Sequence, residues 1–293
     1  MYRYHGQSQL ADPARASAEP WRLGLGLLLV WLGYVALVSL VFQGLRELPD
    51  GEAILREAVE GSTPRGALTM LLSFVALIVA LRIVLGALHR RGLRSLTGPP
   101  GMVWRDFRRV LMWFSGLLLV AMLIPGGESM NPSPNLPPGR WLLLLPVSLL
   151  AVVIQTGAEE LIFRGYAQSQ LAARFRSPLI WMGLPSVLFG ALHFDVATYG
   201  ENAPIVAGGA ALFGLAAADL TARAGNLGPA LALHFGNNVM ALLLIAMDGA
   251  FSGLALFTLP FGPQDGAALR SALLVDGTFL FCTWLAARIA IRR

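Results

Sequence analysis

Apolar runs long enough to cross a bilayer recur from residue 21 to residue 291. Inside lipid every backbone N–H and C=O needs an internal partner, so such runs fold as helices or as a closed barrel. A helix needs about 20 apolar residues to span the hydrocarbon. The runs here are continuous rather than alternating, which selects helices. We read eight, at 21–42, 66–88, 110–124, 141–175, 178–194, 204–220, 229–247 and 271–291. Only 13% of residues are charged and 56% are hydrophobic, against roughly 25% charged in a soluble domain. The expected class is all-α, a polytopic membrane helical bundle. A polar tail at 1–20, with Pro13 and Pro20, reads as disordered, and 21–293 reads as one transmembrane domain.

Charge sets the expected orientation. All 22 basic residues are arginines. A pI near 10.1 would suggest nucleic acid in a soluble protein, but these arginines fall at helix ends, so no nucleic-acid partner is expected. The Arg-rich segments are the tail, 89–109, 164–176, 223 and 288–293. They alternate with acidic or neutral segments at 43–65, 125–140, 195–203 and 248–270. The positive-inside rule then puts both termini in the cytoplasm, and a bacterial inner membrane is the expected location. The lone Cys282 rules out an intramolecular disulfide and a thiolate zinc cluster. No internal repeat is visible, which weighs against a transporter.

Ionisable groups inside lipid are expensive and functional by default. Glu159, Glu160 and Arg164 end a run of leucines and valines. Of four histidines, His5 and His89 fall in polar segments and read as solvated. His193 and His234 lie in apolar runs. Phe189 is one helical turn from His193, and Asn238 is one turn from His234, so each pair shares a face. If the fourth helix continues to about residue 175 and the chain turns at 176–178, Glu159 and His193 sit at one level, about 24 Å from the turn. Arg164 and Phe189 would meet one turn nearer to it. His234, five residues after Pro229, could reach the same cavity.

A carboxylate beside an imidazole can hold and deprotonate a water. A second imidazole beside an amide donor can stabilise a developing oxyanion. This set suits peptide or amide hydrolysis. Neither a G-x-S-x-G nor an H-E-x-x-H motif is present. Glu159, His193 and His234 are also candidate ligands for a divalent metal such as zinc, since three N/O ligands and an open position describe catalytic zinc sites. Against this stands a plainer reading, in which buried carboxylates form a structural ion pair and intramembrane histidines hydrogen-bond between helices.

In that order on successive apolar helices, Glu159-Glu160-x-x-x-Arg164, Phe189-x-x-x-His193 and His234-x-x-x-Asn238 resemble the three motifs of the CPBP family, the CAAX prenyl endopeptidases and related bacteriocin-processing and immunity proteins. The resemblance covers 141–247. It implies an intramembrane endopeptidase acting on a peptide or lipidated protein in membrane lipid. Glu159 would activate the water and His193 would help to hold it. His234 and Asn238 would line the oxyanion side, and Glu160, Arg164 and Phe189 would support them. The same resemblance includes members that bind membrane partners without catalysis.

Overall fold

The computed structural model describes residues 4–123, 131–249 and 251–292. The end of the third apolar run at Ile124 and the start of the nearly uncharged 125–140 segment lie outside them. The chain is an all-α polytopic bundle and an integral membrane protein. Among the described residues five helices are long and apolar enough to cross a membrane: Pro20–Arg46, Pro64–His89, Pro138–Arg174, Val196–Ala224 and Gly266–Ile291. Pro178–Ala191 and Gly228–Leu244 are apolar but shorter.

The elements follow in order. After α1 (Gln7–Ala11) and a 3-10 turn (Asp12–Ser17) come α2 (Pro20–Arg46), α3 (Gly51–Glu60), α4 (Pro64–His89), α5 (Arg94–Thr97) and α6 (Pro100–Met122). A two-residue strand β1 (Ser133–Pro134) leads into α7 (Pro138–Glu160), which continues as a π-helical segment (Leu161–Gln168) and α8 (Ser169–Arg174). Next are α9 (Pro178–Trp181), α10 (Gly183–Ala191), α11 (Val196–Tyr199), α12 (Ala203–Ala224) and α13 (Gly228–Val239). The last segment holds a second π turn (Met240–Leu244), β2 (Ile245–Ala246), β3 (Phe257–Thr258) and α14 (Gly266–Ile291). Proline stands in the first turn of α2, α4, α6, α7, α9, α12 and α13, where its missing N–H costs nothing.

Backbone bonds gather the loops by end. At one end β3 pairs antiparallel to β1 and parallel to β2. There Phe251 and Gly253 donate to the carbonyls of Glu60 and Gly61, and the Trp141 indole donates to Leu243 at 2.8 Å. The Arg65 guanidinium forks onto Glu57 and, with Thr63, holds its carboxyl down to about 2. That corner therefore stays ionised at any pH above about 2.

The arginine-rich end departs from expectation twice. From residue 4 on, the tail is not disordered. Leu10 and Ala14 are fully buried, Gln168 donates to Gln7 at 2.9 Å, and Tyr4 donates to Asp219 at 2.9 Å. Gly6 lies so close to Gly225 that a Cβ on Gly6 would come within 2.6 Å of its nitrogen. A polar, proline-bearing sequence reads as disorder because its receptor, the ends of α8 and α12, is remote in sequence. His89, expected to be solvated, is buried at the end of α4. Its Nδ1 is 2.8 Å from Ser17 Oγ and 2.7 Å from Gln170 Nε2, and its Nε2 is 2.8 Å from the Tyr166 hydroxyl. His89→Ala leaves three buried polar groups short of a partner, at about 1–3 kcal/mol for each unsatisfied group. Its thermal midpoint in detergent is expected to fall by several degrees, and an unchanged midpoint would refute the bridge.

Close helix contact at the centre depends on Gly236. A Cβ there would lie 2.7–3.0 Å from ring atoms of Phe114, which is itself buried. Gly236→Ala is expected to destabilise by about 1–3 kcal/mol, because overpacking outweighs the helix-propensity gain. Denaturant titration in detergent would measure it, and a stabilised variant would contradict the tight α6–α13 contact.

Candidate active site

Two carboxylates close α7, and the helix then widens. Glu159 and Glu160 are its last residues, and Arg164 lies in the π segment that follows. Such single π turns within α-helices are frequent at functional sites. The uninterrupted run Pro138–Arg174 is 37 residues long, in line with the long fourth helix expected from sequence. Gly165 allows α5 to approach this segment, since a Cβ there would sit 2.8 Å from Leu96 Cβ. Glu160 is fully buried and Arg164 nearly so, and Arg164 Nη1 donates to Glu160 Oε1 at 2.9 Å. The guanidinium also lies 4.8 Å from the Phe189 ring centroid and 5.8 Å from that of Phe163. The predicted meeting of Arg164 with Phe189 is thus present.

His234 projects from α13 between the two carboxylates. Its Nδ1 lies 2.8 Å from Glu160 Oε1, and its Nε2 lies 3.4 Å from Glu159 Oε2. An ionised carboxylate only accepts, so Nδ1 carries a proton and donates it to Glu160. The second distance is long for a hydrogen bond, and none forms there. Glu159 Oε2, Glu160 Oε2 and Arg164 Nη2 are buried and make no hydrogen bond to protein. Buried polar atoms of this kind are sites for ordered water or substrate. Asn238, one turn beyond His234, donates from Nδ2 to Gln155 Oε1 at 2.7 Å.

His193 joins the group differently than expected. Among the described residues it makes no hydrogen bond or ion pair to Glu159. The reason is local: α10 stops at Ala191, so His193 follows the helix and its ring folds back. Its Nδ1 lies 2.8 Å from the Phe189 carbonyl, and the two ring centroids are 4.5 Å apart. A carbonyl only accepts, so Nδ1 carries the proton and Nε2 keeps its lone pair. Phe189 in turn lies 6.0 Å from the His234 ring.

The suggested metal set of Glu159, His193 and His234 does not assemble. Among the described residues no group of three or more His, Cys, Asp or Glu is placed to hold a metal ion. Glu160 takes His234 Nδ1 and the Phe189 carbonyl takes His193 Nδ1, so in each ring Nε2 is the atom left for another partner.

Two residues at the site were not singled out from sequence. Phe213 lies 5.0 Å from the His234 ring and 6.1 Å from that of Phe189. Its signal was being the lone aromatic of the Gly/Ala-rich helix α12. Gln155 is buried and holds Asn238. Its signal was a carboxamide in an apolar run one turn before Glu159.

Residues 140–240 match the family model of the type II CAAX prenyl endopeptidase Rce1-like proteins. The match covers the stretch carrying all three motifs, so the family resemblance read from them is borne out there. The uncharacterized protein YyaK of Bacillus subtilis (strain 168) is 29% identical over 193 residues, which are 63% of this chain and 62% of that protein. The chain therefore spans under two thirds of this relative's length. No solved structure matches.

Proposed function

We propose that this Rce1-like core makes the chain an intramembrane endopeptidase, hydrolysing a peptide bond of a lipidated or membrane-associated protein. The observation that carries the reading is the buried Glu159–His234–Glu160–Arg164 cluster inside the matched stretch. Arg164 and the two carboxylates sum to one negative charge. A second proton on His234, at Nε2, brings the four groups to neutrality. In a low-dielectric site that balance matters, because an unmatched buried charge is costly.

The chemistry then follows from the residues. A water between Glu159 and the His193 Nε2 lone pair gives a proton to Glu159, and its oxygen attacks the scissile carbonyl carbon. The carbonyl π pair moves to oxygen. The His234 Nε2–H and an Asn238 N–H receive the oxyanion, at positions already held by Glu160 and Gln155. Collapse breaks the C–N bond, and Glu159 passes its proton to the leaving amine. Arg164 keeps Glu160 ionised, and Phe189 and Phe213 pack against the His234 ring. Excluding bulk water strengthens each of these interactions. The arginine-rich end, with both termini, would face the cytoplasm.

The test uses purified protein in detergent with an internally quenched peptide ending in a farnesylated CAAX box, and the same peptide without the lipid. Cleavage of the farnesylated peptide is expected, faster than that of the bare one and unchanged by a metal chelator. Folded wild-type protein that cleaves neither would favour a silent partner-binding protein. Loss of activity on chelation, restored by zinc, would overturn the metal-free water.

A further inference from the structure

Glu159 and Gln155 are one helical turn apart on α7, and His234 and Asn238 are one turn apart on α13. The two helices bring them together in opposite order. Glu159 meets His234, and Gln155 meets Asn238 at 2.7 Å. The result is a ladder of two rungs. The first belongs to the proposed chemistry, while the second includes a residue outside every motif. Gln155 is only 7% exposed. Among the described residues its side-chain hydrogen bond is the one to Asn238.

The geometry points to Gln155 as a positioning residue that fixes which way the Asn238 carboxamide faces. This rests on the endopeptidase reading above. A free carboxamide turns about its last torsion, and its oxygen and nitrogen ends differ little in shape but oppositely in charge. Presenting oxygen to a developing oxyanion would repel it. Gln155 Oε1 takes one hydrogen of the Asn238 NH2, which fixes the flip and leaves the second N–H for the oxyanion. Packing alone could not make that distinction.

Two replacements separate orientation from packing. Gln155→Met keeps the length and shape of the side chain and removes the acceptor. Gln155→Glu keeps an acceptor oxygen and cannot present an N–H. With the farnesylated peptide, Gln155→Met is expected to lower kcat by about 10–100-fold, as loss of an orienting partner does, with KM within about twofold and the thermal midpoint near wild type. Gln155→Glu is expected to recover only part of that loss, because it restores the acceptor but adds a carboxylate one turn from Glu159. If Asn238 instead served with its oxygen inward, Gln155→Glu would be the worse variant, and the inference would be overturned.

A second readout needs no cleavage. The chain has six asparagines, so selective 15N-asparagine labelling gives a short side-chain amide spectrum, with Asn238→Ala assigning the Asn238 signal. That signal is expected to shift in Gln155→Met and to return toward wild type in Gln155→Glu. An unmoved signal in Gln155→Met overturns the inference whatever the enzyme does. A wild type that cleaves nothing, or a Glu159→Gln variant that cleaves normally, defeats the endopeptidase reading instead, and the amide spectrum still decides whether Gln155 holds Asn238.

Discussion

Glu159→Gln is expected to abolish cleavage while the protein stays folded. The substitution preserves size and removes the one group proposed to take a proton from water. General-base catalysis contributes about 10²–10⁴-fold, so the residual rate should fall to background in an ordinary assay. Stability should barely change. Glu159 is the more exposed carboxylate, at 13% of its side chain against none for Glu160, and its Oε2 makes no hydrogen bond to protein. Its contact with His234 is the long one, at 3.4 Å. A thermal midpoint within about 1 °C of wild type, under the ~2 °C that 1 kcal/mol shifts a chain of this size, would show that the loss is chemical. Activity surviving the change would remove Glu159 from the mechanism.

The opposite balance is expected one turn away. Arg164→Met removes the cation from a pair whose side chains are 2% and 0% exposed. Glu160 would keep only His234, and two carboxylates would share one imidazole. Removing one partner of a buried pair costs about 3–5 kcal/mol, because the other charge is left buried and unmatched. The Arg164 stacking on Phe189 is lost as well. The variant should therefore unfold at markedly lower denaturant or temperature, and cleavage should fail with it. Glu160→Gln combined with Arg164→Met removes both charges, so it should be more stable than Arg164→Met alone. If the double variant is no better, the destabilisation comes from packing and the electrostatic account is wrong. The two experiments together separate the carboxylate that reacts from the one that holds.

Much of this protein was legible from residue order. Continuous apolar runs admit only helices in lipid, so the all-α bundle followed from length and composition, whereas among the described residues five of the eight expected spans are helices long and apolar enough to cross. Arginine placement sorted the loops by end, and the backbone bonds among residues 60–61, 133–136 and 243–259 gather one set as the charges require. Motif spacing put Glu160 with Arg164, and His234 with Asn238, on shared helix faces, because a period near 3.6 residues is a local property.

Tertiary structure decided what depends on the approach of remote segments. It set His234 against Glu160 as well as Glu159, seated Gln155 on Asn238, and placed Phe213 beside His234. It turned His193 back onto Phe189, because a helix end shifted by three residues changes where a side chain points. It also folded the tail under the bundle and buried His89. A polar residue reads as solvated when its partners lie 72 to 81 positions away. Hydrophobic pattern fixes which surfaces must be covered, whereas the pairing of individual polar atoms is settled only when the helices meet at side-chain distance.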